Sequence, residues 1–349
     1  MNPAQIIQQI ETDLLINLMT LLSQGKVGDA EWQLRKIQQY GMLEKQNLNA
    51  IKKNLPELEK EIKAEIEKIA MQKVGQIDRI ARNSATFSGA LRTASLDRIR
   101  EIIATYEQVA KTQASSVLDN LVAKAGQQYL GLVSKTQIQV LSGIPIQKAM
   151  EEASAELAKK GVPALVDRAG RTWTPEAYTQ MMFRTTITQT ATATQLQRMD
   201  ELEMDLVEIS SHAGARPKCE PYQGKVYSLH GKTKGYPLLS DTSYGEPDGL
   251  FGVNCGHTMY PYIPGTPKTY DQYPKKENAE VYEQSQKQRA IERNIRSSKR
   301  ELSILEANSK ATPQAIKNAQ EKLARQQSRM SEFISETGRT RRIGREQVY

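Results

Sequence analysis

The sequence predicts a mainly α-helical chain with a small central α+β module, in which elongated helical arms flank a short antiparallel sheet carrying a Cys/His cluster. Three observations lead there. Long stretches repeat apolar residues at the spacing of one helix face, as in Leu58, Ile62, Ile66, Ile69 and Val74. Of the 349 residues, 38% are apolar, 6% aromatic and 25% charged, a balance that suits amphipathic helices better than a thick α/β core. Both cysteines (Cys219, Cys255) and all three histidines (His212, His230, His257) fall in one Gly/Pro/Tyr-rich stretch between Leu206 and Gly265.

Each element follows from local signals. Asn2 caps and Pro3 opens a first helix whose apolar face is Ile6, Ile7, Ile10, Leu14, Leu18, Leu21 and Leu22, stopped by Gly25 and Gly28. A short second helix is expected from about Asp29 to Gly41, with Trp32, Leu34 and Ile37 on one side. A third begins near Leu43 and is interrupted at Pro56, which has no N–H to give. Glu57 to Arg82 carries the stripe named above. Ser95 to about Leu141 is helical again, broken by Gly143 and Pro145, and a further helix runs to Lys160 before Gly161.

A hairpin or loop is expected around Arg168-Ala169-Gly170. Thr174 then caps and Pro175 opens a threonine-rich helix to about Leu202, which tertiary contacts must hold because threonine is a mediocre helix former. On it, Arg184 reads as a buried hydrogen-bond hub, with a surface charge as the alternative. Asp205–Ser210, Gly224–Leu229 and His257–Ile263 alternate as three short strands, the last an edge strand because of its proline. Past Pro274, two helices separated at Thr312-Pro313 form a helical hairpin or coiled coil. Ile291, Ile295, Leu302 and Leu305 face Ile316, Leu323, Met330 and Phe333. By composition the chain divides into a helical arm (residues 1–160), the central module (161–270), the helical hairpin (271–337) and a basic flexible tail (338–349).

Composition also limits function. No stretch of about eighteen apolar residues is present, so no membrane span is expected. The start lacks the pattern of a secretory signal, and two cysteines are too few for a disulfide framework, so a reducing cytoplasm is the expected place of synthesis. The formal charge of +8 is concentrated at the end: residues 275–349 hold 17 Lys and Arg against 10 Asp and Glu. Such an end suits a polyanion, with Arg339, Arg341, Arg342 and Arg345 the candidates for sequence-independent, salt-sensitive contact with double-stranded DNA. A solvated helical face is the alternative reading of the same charges.

His212, Cys219, Cys255 and His257 are a complete donor set for a structural Zn²⁺, which takes four sulfur or nitrogen ligands in a tetrahedron. A small sheet with little core would gain stability from the metal. Three alternatives stay open: a Cys219–Cys255 disulfide, ordinary buried cysteines and histidines, or a nucleophilic cysteine with a histidine base oriented by Asp241 or Asp248. Zinc-deaminase, H-E-x-x-H, Walker A and G-x-S-x-G patterns are absent, which weighs against an enzyme. His230, at a glycine-flanked turn, reads as a surface residue.

The run GRTWTPEAYTQMMFRTT, then SSHAGARPKCEPYQGKVYSL, then YPLLSDTSYGEPDGLFGVNCGH, resembles the phage minor capsid protein 2 family. That family is related in role to the Mu F-like head morphogenesis proteins of tailed phages. HxGARPxC, YQGKV and C-G-H occur in the expected order over roughly Gly170–Pro264, while the helical arms are similar in layout only. The resemblance implies a non-enzymatic head component present in multiple copies per virion, inside the capsid near the portal. Its partners would be the portal protein or the major capsid protein, with a role in assembly and in DNA packaging or ejection. Two alternatives are a metal-dependent enzyme, such as a phosphodiesterase, and a nonspecific DNA-binding packaging protein.

Overall fold

The structure is a computed structural model that describes residues 3–25, 31–83, 94–162, 165–166 and 172–348. Asn2, Gly28, Asp29 and the Arg168–Gly170 turn lie outside the described residues. Seven α-helices carry the described chain: α1 (Pro3–Ser23), α2 (Trp32–Arg82), α3 (Leu96–Leu141), α4 (Ile146–Lys160), α5 (Pro175–Glu201), α6 (Lys275–Glu306) and α7 (Pro313–Thr337). The strands are β1 (Leu165–Val166) and β2 (Thr172–Trp173), which pair antiparallel, and β3 (Leu206–Ile209), β4 (Val226–Ser228) and β5 (Met259–Pro261). The last three form an antiparallel sheet in the order β4-β3-β5, so Pro261 does sit on an edge strand.

The course of α2 differs from the sequence expectation. Instead of stopping at Gly41 and breaking at Pro56, α2 is a single helix through both. Proline forfeits one hydrogen bond and glycine some backbone entropy, but flanking turns bury a continuous stripe: Leu58, Ile62, Ile66, Ala70 and Ile77 are all essentially inaccessible to solvent. Each such burial contributes about 2 kcal/mol for the larger side chains, which outweighs a single interruption.

Two compact units divide the chain, and they are interleaved in sequence. The first comprises Met1–Leu58, Ala114–Thr179 and Gln286–Tyr349; the second comprises Glu59–Gln113 and Gln180–Ser285. Helices α2, α3, α5 and α6 contribute residues to both, and the division within α2 falls just after Pro56.

In the first unit, α1 buries Ile7, Leu15, Leu18, Met19 and Leu22, and Ser154 of α4 donates to the Met19 sulfur at 3.3 Å. Asn308 donates to Ser154, and Ser309 is tied to Ser23, so the α6–α7 turn is stitched to α1 and α4. Thr312 caps α7 by accepting from the Ala315 N–H, while its own hydroxyl and N–H both donate to Glu151. Ile291 and Ile295 of α6 bury against Met330 of α7, with Leu323 and Phe333 alongside, the pairing that apolar periodicity predicts.

The second unit places the sheet on the ends of α2 and α5. Ile77, Ala81, Met199 and Leu202 pack with Val207, Ile209, Tyr227 and Met259. The threonine-rich helix is held as expected, with Thr186, Thr190 and Thr194 buried and Gln195 donating to the Met259 carbonyl at 2.7 Å. Arg184, however, is exposed. The buried arginine of α5 is Arg198, 1% exposed, which pairs with Asp78 and Glu201, each at 2.7 Å. Position along the helix decides this: Arg198 lies near the C-terminal end of α5 beside Asp78 of α2, and Arg184 lies about four turns earlier.

Candidate metal centre

The cluster is built on loops leaving the three-stranded sheet of the second unit. His212 and Cys219 lie on the segment after β3, and Cys255 and His257 immediately precede β5. Asn278 at the start of α6 pins the first loop, accepting the Ala215 N–H at 2.8 Å and donating to the Ala215 carbonyl at 2.9 Å. Gly256, between Cys255 and His257, leaves room for His212: a Cβ there would stand 3.2 Å from His212 Nε2, tighter than ordinary contact.

Cys219 Sγ lies 4.0 Å from Cys255 Sγ, and Cys255 Sγ lies 3.5 Å from His257 Nδ1. Ligand atoms of Cys219, Cys255 and His257 all fall within 4.8 Å of one another. His212 is not in that tightest group, but its ring stacks on His257 with centroids 4.4 Å apart. Thus three of the four sequence-predicted ligands converge and the fourth lies alongside. Cys219 and His257 are buried, and Cys255 and His212 are half-buried.

The surrounding groups determine ring orientation. Gln223 Oε1 accepts the His212 backbone N–H at 3.0 Å, which identifies it as the oxygen, and His257 Nε2 approaches the same atom at 3.3 Å. The His257 proton therefore sits on Nε2, leaving the Nδ1 lone pair facing the cysteine sulfurs. On His212, Nδ1 lies 3.2 Å from the Ala213 carbonyl and takes that ring's proton. Its Nε2 is buried and has no protein partner.

The two thiols are shifted in opposite directions. The hydrogen bond from Cys219, reinforced by the His257 N–H at 3.4 Å, holds the Cys255 thiol well below its ordinary range despite burial. That same hydrogen bond, together with burial, pushes Cys219 up. Burial and the neighbouring His257 lower the His212 pKa, favouring the neutral, ligand-competent imidazole. Arg216 spans outward from Cys219: its guanidinium reaches Cys219 Sγ at 3.7 Å and donates to the carbonyls of Gly249 (3.2 Å) and Val253 (2.8 Å). The 244–253 loop so anchored lines, with Tyr106 and Leu196, a cleft of about 560 Å³.

Other predicted positions fall elsewhere. Asp248 is exposed and paired with Lys218 at 2.8 Å, and Asp241 is exposed. His230 is exposed, with Nε2 2.9 Å from Asp200. Gln223 and Arg216 were not among the expected site residues, although they stand inside YQGKV and HxGARPxC. A polar residue held between candidate ligands was the available signal.

The basic tail corrects a further expectation. Instead of a free arm, residues 338–348 are docked within the first unit. Arg341 forms a bidentate pair with Glu346 (2.8 and 2.7 Å), Arg339 donates to Gln288 at 2.8 Å, and Arg345 lies 4.0 Å from Glu292. Gln288 and Gln8 donate to the Thr340 and Gln347 carbonyls. Of the four arginines Arg342 is exposed and the other three are half-buried. The reason is pairing across distance: Glu292 and Gln288 meet the tail only once α6 has folded beside it.

Fold and site define a largely helical protein whose Cys/His cluster is confined to one small sheet module. Comparison with known proteins gives the class: phage structural proteins. The chain belongs to the phage minor capsid protein 2 family, whose model matches residues 2–335. It is 29% identical over 284 residues to a structural protein of Lactococcus phage LL-H, covering 76% of this chain and 75% of that one. It is also 32% identical over 118 residues to a structural protein of Lactococcus phage mv4, covering 32% of this chain and 92% of the other. No solved structure matches the chain.

Proposed function

We propose that this protein is a non-enzymatic minor head component, incorporated in multiple copies inside the capsid at the portal after synthesis in the host cytoplasm. There it contacts the portal protein or the major capsid protein and takes part in head morphogenesis. The observation that carries this reading is the family match over nearly the whole chain, together with relatives described as phage structural proteins. No helix among the described residues is long and apolar enough to cross a membrane. The linear segments 1–160, 161–270, 271–337 and 338–349 would serve as arm, module, hairpin and basic end.

Contact with packaged DNA during packaging or ejection belongs to the same proposal, and the excess of Lys and Arg after residue 275 supports it. Because Arg339, Arg341 and Arg345 have intramolecular partners, Arg342 and exposed cations of α7 such as Arg325 and Arg329 would make first contact. Cross-linking mass spectrometry on purified virions tests the placement. Cross-links to the portal or inner shell are expected; absence from virions, or cross-links to tail proteins alone, would overturn it. For DNA, the full chain should bind duplex weakly and lose affinity steeply between about 50 and 200 mM salt. Affinity independent of salt would remove DNA from the proposal.

A further inference from the structure

We propose that Cys219 Sγ, Cys255 Sγ, His257 Nδ1 and His212 Nε2 bind one Zn²⁺ as a structural centre of the sheet module. The inference stands on geometry and is independent of where in the virion the protein sits. A tetrahedral zinc with Zn–S near 2.3 Å and Zn–N near 2.0–2.1 Å requires about 3.8 Å between two sulfurs and about 3.6 Å between sulfur and nitrogen. The corresponding separations are 4.0 Å for Cys219–Cys255 and 3.5 Å for Cys255–His257. Two of the three edges joining these ligands therefore match one tetrahedron, and the ligand atoms of all three residues lie within 4.8 Å of one another.

The fourth corner falls to an orphaned atom. His212 Nε2 is buried, carries a lone pair because Nδ1 faces the Ala213 carbonyl, and has no protein partner. A buried acceptor left in this way costs about 1–3 kcal/mol unless something meets it, and a metal held by the other three ligands would meet it once the His212 ring turned from its stack on His257 toward the ion. Gln223 supplies the outer support, holding the His257 Nε2–H and the His212 backbone with one oxygen. Binding is ligand exchange without redox. Each thiol that still carries its proton releases it to solvent, and two thiolates then cancel the charge of the ion. The mixed sulfur and nitrogen set selects zinc over magnesium or calcium, which take oxygen ligands.

The test uses the full chain purified under reducing conditions, and needs no variant for its first arm. Metal analysis should give about one zinc per chain. Replacement by Co²⁺ should give intense visible bands of a tetrahedral site and a near-ultraviolet sulfur-to-cobalt transition sized for two thiolates. Reduced protein that holds no zinc and binds no Co²⁺, or a cobalt spectrum that is octahedral or lacks sulfur, would overturn the site. In the second arm, Cys255→Ser should abolish stoichiometric metal, and metal retained by it would overturn the assignment. His212→Ala should bind at least roughly tenfold more weakly while keeping both sulfur contacts. Unchanged affinity and spectrum in that variant would remove His212 as the fourth ligand.

Discussion

Gln223 Oε1 joins the two histidines of the sheet module, meeting His257 Nε2 at 3.3 Å and the His212 backbone N–H at 3.0 Å. Gln223 and His257 are both buried, so water does not readily replace this acceptor. Replacing it with leucine strands both and should lower unfolding stability by about 2 kcal/mol. Chemical denaturation checks this. An unchanged midpoint would mean that the glutamine does not organise the histidines.

Arg198 concentrates a second vulnerability. It is buried between Asp78 and Glu201, and Glu201 also accepts from Gln197 and from the Ser95 N–H. Arg198→Ala should cost about 3–5 kcal/mol by leaving two carboxylates without their shared cation. Arg184→Ala, at an exposed position of the same helix, should cost far less. Equal losses in thermal unfolding would contradict the different placement of the two arginines.

Asp205 gives a pH dependence of defined sign. Burial alone would raise its pKa, but hydrogen bonds from Ser228 Oγ, the His230 N–H and Thr233 outweigh burial and hold it down to about 2, against an ordinary 3.8. A folded-state pKa below the unfolded one stabilises fully above pH 3.8, and the contribution disappears as pH falls through about 2. Asp205→Ala should therefore lose about 2 kcal/mol at neutral pH, and its gap from the wild type should close in acid. A gap that is constant across pH 2–7 would exclude the carboxylate as its origin.

Glu11 should behave oppositely. Burial raises its pKa, and the nearby Arg300 and the Val162 N–H only partly oppose this. With the folded value above the ordinary 4.5, stability is greatest while the carboxyl is protonated and declines as pH rises through 4.5 toward the folded value. Glu11→Gln should flatten that decline, measurable as a shallower fall of melting temperature from pH 4 upward. A decline of the same slope in the variant would assign it to other groups.

Docking of the basic end can be read by proteolysis. Glu346 is buried and holds Arg341 through two hydrogen bonds. Glu346→Ala should free the segment, speeding trypsin cleavage at Arg341 and Arg342 several-fold and strengthening low-salt binding to duplex DNA. If cleavage is no faster, the pair does not hold the tail.

The sequence by itself determined the features that depend on neighbours in the chain. Thr174-Pro175 and Thr312-Pro313 start α5 and α7, Gly338 ends α7 in a left-handed conformation, and two-residue alternation marks β3, β4 and β5. Confinement of Cys219, Cys255, His212 and His257 to one module was legible for the same reason. Tertiary structure decided what depends on partners far along the chain. It carried α2 through Gly41 and Pro56, because burial of the flanking stripe exceeds the loss of one local hydrogen bond. It chose Arg198 over Arg184 by placing Asp78, 120 positions away, beside one and not the other. It turned the tail arginines inward by setting Glu292 and Gln288 against them. Periodicity records which face of an element is apolar, but the identity of the group that meets a buried charge exists only once the chain has folded.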